Sequence, residues 1–251
     1  MKTIKGPAIF LAQFMDEKAP YNSLDGLCKW ASDLGYKGIQ MPTLDPRLIN
    51  LKTAAESQTY CDALLGKINS YGLELTELST HIQGQLVAVH PAHDFMFDVF
   101  APDNLKGKPK ERTACAIQEM KHAAMASRRL KLKAHATFSG SLLWPMMHPW
   151  PQQPKGLVEL GFRQLAERWL PILNTFDDNG VDVCYEVHPV EDIHDGDTFE
   201  RFLAATGNHK RVNILYDPSH FVLQQLDYVT YIDHYHEFIK AFHVKDSEFN
   251  P

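Results

Sequence analysis

The sequence predicts an α/β chain folded as a (β/α)8 barrel, in a single domain over residues 1–251, lacking its last strand–helix unit. Three observations predict it. Seven apolar runs of strand length alternate with helix-length stretches, which is the pattern of a parallel sheet. Several runs end at their carboxyl side in an ionisable residue, as strands do around a barrel mouth. Connections after helices are short, whereas those after the third and fourth strands are long and aromatic. A doubly wound sheet would instead place a glycine-rich phosphate turn after strand one, where the chain reads Gln13-Phe14-Met15-Asp16.

Taken in order, residues 8–14 are a buried apolar run and form strand one. Ser23 caps a helix in which Leu24, Leu27, Cys28, Ala31 and Leu34 recur at helical spacing, and Gly35 ends it. Residues 37–42 give strand two, and a helix over 54–71 stops at Gly72. Strand three covers 74–81. A long connection, 82–109, precedes a helix over 113–130 and strand four at 132–138. After a Pro- and Trp-rich loop, Val158, Phe162, Leu165, Trp169, Ile172, Leu173 and Phe176 form a single apolar helical stripe. Strand five is 181–187. Asp197 and Glu200 read as a capping box for the next helix. Strand six is 212–217, a helix lies at 228–236, and strand seven is 239–244. No eighth strand follows, so the barrel is expected to lack its carboxyl-terminal part or to close in an unusual way.

Composition narrows the function. A net charge of −6 leaves no basic footprint for a phosphate backbone, so no nucleic-acid partner is expected. No apolar run is long enough to span a membrane, and the amino end carries no secretion signal. The cysteines Cys28, Cys61, Cys115 and Cys184 show no CxxC spacing, which fits reduced thiols and a cytoplasmic protein.

The chemistry concentrates at the ends of the last three strands, in Tyr185-Glu186-Val187-His188-Pro189, Tyr216-Asp217-Pro218-Ser219-His220 and Phe242-His243-Val244-Lys245-Asp246. Side chains alternate along a strand, so Cys184, Glu186 and His188 share a face, as do Ala241, His243 and Lys245. Glu186, Asp217 and His243 could together hold one divalent cation. Oxygen and imidazole donors suit Mn²⁺, Mg²⁺, Co²⁺ or Zn²⁺. Taken singly, each would more simply be an ion pair or a core histidine; a buried acid recurring at consecutive strand ends is too costly for that. Further candidates for a substrate cup are His81 and His135, with core hydrogen bonding as their alternative, His188 beside Glu186, and Trp144 in the long loop. Lys245 either neutralises charge on a substrate oxygen or pairs with Glu186.

These three segments resemble the strand-end motifs of the xylose-isomerase-like TIM barrel superfamily, which includes sugar phosphate isomerases and epimerases, inosose dehydratases and, more distantly, endonuclease IV. The resemblance runs from the first strand to the seventh and is strongest over 181–248. It implies a metal, Mn²⁺ foremost, held by Glu186, Asp217 and His243, with a fourth family ligand that has no counterpart here. It also implies that His220 contacts substrate oxygens or orients Asp217; Glu186 and His220, with Lys245 from its strand-end position, are the residues expected to carry catalysis. The implied activity is isomerisation or epimerisation of a sugar or sugar phosphate through an enediolate. A dehydratase or lyase acting by the same proton abstraction is the alternative. A non-catalytic binding subunit is a third reading, and DNA repair is disfavoured by the charge. The partner is a small sugar, and barrels of this kind also associate as homo-oligomers.

Overall fold

The computed structural model describes residues 6–143, 152–248 and 250. Among these, seven strands form one parallel sheet in the sequential order β1 to β7. They are β1 (Ala8–Phe10), β2 (Gly38–Pro42), β3 (Glu74–Ser79), β4 (Ala134–Thr137), β5 (Asp182–Glu186), β6 (Val212–Tyr216) and β7 (Ile239–Phe242). The predicted α/β barrel architecture is therefore present as a curled sheet of parallel strands with helices outside.

The helices are α1 (Leu24–Asp33), α2 (Leu51–Glu56), α3 (Gln58–Ser70), α4 (His81–Val87), the single turn α5 (Asp94–Phe97), α6 (Pro109–Arg129), α7 (Leu157–Asn179), α8 (Gly196–Ala205), α9 (Pro218–Gln224) and α10 (Tyr228–Tyr235). Their apolar faces pack on the outside of the sheet. The α7 stripe, Phe162 through Phe176, is buried there, and Trp169 meets Tyr185 edge-on with ring centroids 4.9 Å apart. The Trp169 indole N–H donates to Ser139 O at 2.8 Å, which satisfies a polar atom that burial would otherwise leave unpaired.

Several boundaries differ from the expectation, each for a local reason. Strand one stops at Phe10 and continues as a 3-10 turn, Leu11–Phe14. The helix expected over 54–71 is two helices. Ser57 adopts an extended conformation, and its hydroxyl accepts from Tyr60 N, starting α3 afresh. Strand three ends at Ser79, so His81 opens α4 instead of lying on the strand. The cap of α8 is Asp195, in a capping box with Thr198, not Asp197 with Glu200. Helix α9 has no counterpart in the predicted elements; Pro218 at its first position and Asp217 as cap start it.

The barrel interior explains where the site lies. Ala136, Cys184, Leu215 and Ala241 on β4–β7 form a buried apolar plug. Two residues further along each strand, on the same face, stand Phe138, Glu186, Asp217 and His243. The alternation of the pleat thus lifts the chain from an apolar layer into a polar one at the carboxyl mouth. The sheet curls far enough for opposite parts to touch: Phe10 of β1 stacks on His243, with centroids 5.7 Å apart.

Candidate active site

Glu186 is the centre of the polar layer. Its side chain is 95% buried, and four cationic or imidazole groups converge on it. Oε1 accepts from His220 Nε2 at 3.0 Å and lies 3.6 Å from both His243 Nδ1 and Lys245 Nζ. Oε2 lies 2.8 Å from His81 Nε2. Burial pushes the Glu186 carboxyl up, but the imidazoles gathered on it, His220 first, outweigh it and hold the group well below the usual carboxylate range. Glu186 is therefore an ionised acid inside the barrel mouth.

Asp217 divides its two oxygens between structure and site. Oδ1 caps α9, accepting from Ser219 N at 3.0 Å and from the Ser219 hydroxyl at 2.6 Å. Oδ2 faces the other way, toward Lys245 Nζ, with which it forms an ion pair, His220 Nε2 at 3.4 Å and His243 Nδ1 at 3.9 Å. It makes no hydrogen bond within the angular limits of one, although it is fully buried.

His243 is oriented from behind. Its Nε2–H donates to Gln40 Oε1 at 3.1 Å, across the barrel on β2. The Gln40 amide is turned by its other end, where Nε2 faces Glu77 Oε2 at 3.5 Å. With the proton on Nε2, Nδ1 presents a lone pair to the two carboxylates, and it too is buried without a hydrogen-bond partner. His81 is set by Ser79, whose hydroxyl donates to Nδ1 at 2.5 Å and leaves the imidazole proton on Nε2 beside Glu186.

Above this floor opens a cup of about 240 Å³. Phe10, Pro42, Leu44 and Phe138 wall one side in carbon; His81, Glu186, His188, His243 and Lys245 supply the polar side. His188 packs edge-on against His220 (4.1 Å between centroids) and donates from Nδ1 to Pro189 O. Burial depresses its pKa, so it stands as a neutral imidazole at the rim.

Of the residues picked out in the sequence, Glu186, Asp217, His220, His243 and Lys245 thus converge, with His81 and His188 beside them. His135 does not join them. It is fully buried on the opposite face of β4, bonded to Thr80 Oγ1 at 2.6 Å and Ser127 Oγ at 3.4 Å, and packed on Phe176. Burial drives its pKa down to about 3, so it is a neutral core histidine. The parity of the strand gives the reason: Phe138 points inward, and His135, three residues earlier, points to the helices. Trp144 lies outside the described residues. Gln40, Ser79, Phe10 and Phe138 are site residues that the sequence reading passed over. A glutamine inside the buried run of β2 was the available signal for the first.

The donor set suits a divalent metal. Glu186, Asp217 and His220 each bring a ligand atom to within 4.8 Å of the others, and His243 Nδ1 adds a fourth, lying 3.6 and 3.9 Å from the two carboxylates. His220 already donates its Nε2 proton to Glu186, whereas Nδ1 of His243 has no hydrogen-bond partner and Oδ2 of Asp217 is held only by its ion pair with Lys245. Glu186 and Asp217 are common to both possible sets, completed by His220 or by His243.

A parallel barrel with a carboxylate–imidazole centre at its carboxyl mouth defines the class of protein. The chain belongs to the xylose isomerase-like TIM barrel family, whose sequence profile matches residues 28–251. Solved structures share the fold at low identity. A xylose isomerase domain protein from Planctomyces limnophilus superposes with a TM-score of 0.65 at 14% identity, covering 100% of this chain and 77% of its own. The probable 3-DHS dehydratase AsbF of Bacillus anthracis gives 0.64 at 16%, covering 95% and 72%. The 3-keto-D-glucoside 4-epimerase YcjR of E. coli gives 0.65 at 11%, covering 96% and 80%. No curated protein matches the sequence. No helix among the described residues is long and apolar enough to cross a membrane.

Proposed function

We propose that the chain carries the active centre of a divalent-metal-dependent sugar isomerase or epimerase acting through an enediolate. The observation that carries this reading is the convergence of two buried ligand atoms, Asp217 Oδ2 and His243 Nδ1, neither of them hydrogen-bonded, on the ionised Glu186. Glu186, Asp217 and His243 would hold the metal, with Mn²⁺ first and Mg²⁺, Co²⁺ or Zn²⁺ as alternatives for the same hard and borderline donors. An ion held there would supply Lewis acidity toward a hydroxy-carbonyl sugar and so acidify the C–H next to its carbonyl.

The chain's own residues account for the rest. Glu186, kept ionised, is the base that takes that proton. His220 and His81 hold its two oxygens in place, one on each, so the carboxylate enters the reaction already oriented. Lys245, paired with Asp217, lies where negative charge develops on the substrate oxygens and offsets it. His81 and His188 line the cup as polar contacts for sugar hydroxyls, while Phe10 and Phe138 cover the apolar face of the ring and exclude water. Returning the proton to the neighbouring carbon isomerises; returning it to the opposite face epimerises. Loss of a β-hydroxyl from the same intermediate gives a dehydratase, and the likeness to a probable dehydratase supports that second reading.

The test is solvent exchange. Ketoses, inososes and 3-keto-glycosides are incubated with the protein and Mn²⁺ in D₂O and followed by NMR. Deuterium should enter next to the carbonyl of at least one of them, and Glu186→Gln should abolish it. A panel with no deuterium uptake would remove enediolate chemistry.

A further inference from the structure

Each carboxylate of the centre has one oxygen left for a cation. Asp217 Oδ1 is committed to the start of α9, where it accepts from Ser219 N at 3.0 Å and from the Ser219 hydroxyl at 2.6 Å. Glu186 Oε2 is engaged by His81 Nε2 at 2.8 Å. That leaves Asp217 Oδ2 and Glu186 Oε1, and the Lys245 ammonium stands at both. It forms an ion pair with the first and lies 3.6 Å from the second. The two imidazoles that could complete a metal site face the same pair of oxygens. His243 Nδ1 is 3.6 Å from Glu186 Oε1 and 3.9 Å from Asp217 Oδ2, and His220 Nε2 is 3.0 and 3.4 Å from them. Lys245 thus holds, with a single positive charge, the oxygens that a divalent ion would need.

Charge and reach point the same way. Two carboxylates taken out of water need compensating charge. Lys245 supplies half of it, whereas a divalent ion supplies all of it and repels an ammonium at contact distance, in a site that salt screens poorly. The lysine has somewhere to go. It lies beyond Phe242, the last residue of β7, with its side chain 35% exposed, and it already lines the cup. Its four-carbon stem can therefore turn the charged end toward the cup without moving a strand. Among the described residues lining the cup Glu186 is the one acid, so no other carboxylate there would recapture the ammonium.

We propose that Lys245 is an internal counter-cation that gives way to the metal. It holds Glu186 and Asp217 in the metal-free chain and is released into the cup when a divalent ion is bound. There its charge is unmatched by the protein and meets an anionic oxygen of the substrate. The proposal rests on the reading of Glu186 and Asp217 as metal ligands. It adds that the substrate-facing cation becomes available only in the loaded chain.

Two measurements test it. The first compares Mn²⁺ affinity in the unaltered chain and in Lys245→Met by titration calorimetry. The unaltered chain must break an ion pair to take up the metal and the variant need not, so the variant should bind about tenfold more tightly. A lysine that only props Asp217 in place would give the opposite sign, because its loss would loosen a ligand. The second is a crystal structure of the unaltered chain loaded with Mn²⁺, which does not depend on the variant folding and separates release from charge repulsion at a distance. Nζ of Lys245 should stand more than about 4 Å from Asp217 Oδ2 and Glu186 Oε1, beyond the reach of an ion pair. Equal or weaker Mn²⁺ binding by folded Lys245→Met, or an ammonium still seated on Asp217 Oδ2 in the loaded crystal, would overturn the proposal. Mn²⁺ bound with Lys245 unmoved would leave the metal reading standing, whereas an unaltered chain that takes up no Mn²⁺ would overturn both.

Discussion

Gln40 Oε1 accepts a hydrogen bond from His243 Nε2 at 3.1 Å, joining β2 to β7 across the barrel mouth. This bond decides which imidazole nitrogen is free, and hence whether His243 can offer a lone pair beside Glu186 and Asp217. Partners that orient a metal-binding histidine are typically worth about 10- to 100-fold in metal affinity. Gln40→Leu should therefore weaken Mn²⁺ binding by about that factor while the far-UV circular dichroism stays unchanged. Titration monitored by Mn²⁺ electron paramagnetic resonance measures it, and unchanged affinity would show that His243 needs no such support.

Lys245 neutralises two carboxylates that the barrel has taken out of water. Removing one member of such a group leaves buried charge uncompensated, and the partial exposure of the lysine keeps the cost to about 1–3 kcal/mol. Lys245→Met should lower the thermal midpoint of metal-free protein. Added Mn²⁺ should restore more of the loss than it adds to the unaltered chain, because the cation takes over the neutralising role. Differential scanning calorimetry with and without Mn²⁺ reads both effects.

Glu191 supplies a pH dependence away from the site. It is fully buried behind the β4 loop, accepting from Gly140 N at 2.7 Å. Burial pushes its pKa up from 4.5 to about 8. A folded value above the unfolded one means that its contribution is complete below about 4.5 and is lost as pH rises through 8. Urea midpoints should fall across that window, and Glu191→Gln, which keeps an acceptor for Gly140 N–H, should flatten the fall. An identical slope in the variant would assign the window to other groups.

Trp169 joins α7 to the start of the β4 loop through its bond to Ser139 O. Trp169→Phe keeps most of the buried ring but strands that carbonyl, at a cost of about 1–3 kcal/mol. Trp169→Ala should cost about 3–5 kcal/mol, since a large buried volume is emptied. Chemical denaturation separates the two.

Much of the fold and part of the site were legible because both follow from the pleat. Glu186, Asp217 and His243 stand two residues beyond Cys184, Leu215 and Ala241, so strand alternation alone places them in one inward layer. What escaped was set by contacts distant in sequence. Gln40 meets His243 from 203 residues away, and nothing near it in the chain distinguishes it from a buried polar residue. His135 was read as a candidate for the substrate cup, when Phe138 holds the inward position on that strand. Asp217 doubles as the cap of α9; its motif was read as a ligand motif, and the helix start within it was missed. The break at Ser57 arises from a hydroxyl that competes with a continuous helix, which apolar periodicity does not register.

The central claim is that Glu186, Asp217 and His243 hold one divalent metal. Elemental analysis of purified protein equilibrated with Mn²⁺ and desalted, beside Glu186→Ala and His243→Ala, tests it most directly. About one Mn²⁺ per chain in the unaltered protein, and background levels in both folded variants, is the predicted result. Equal metal content in all three would contradict it.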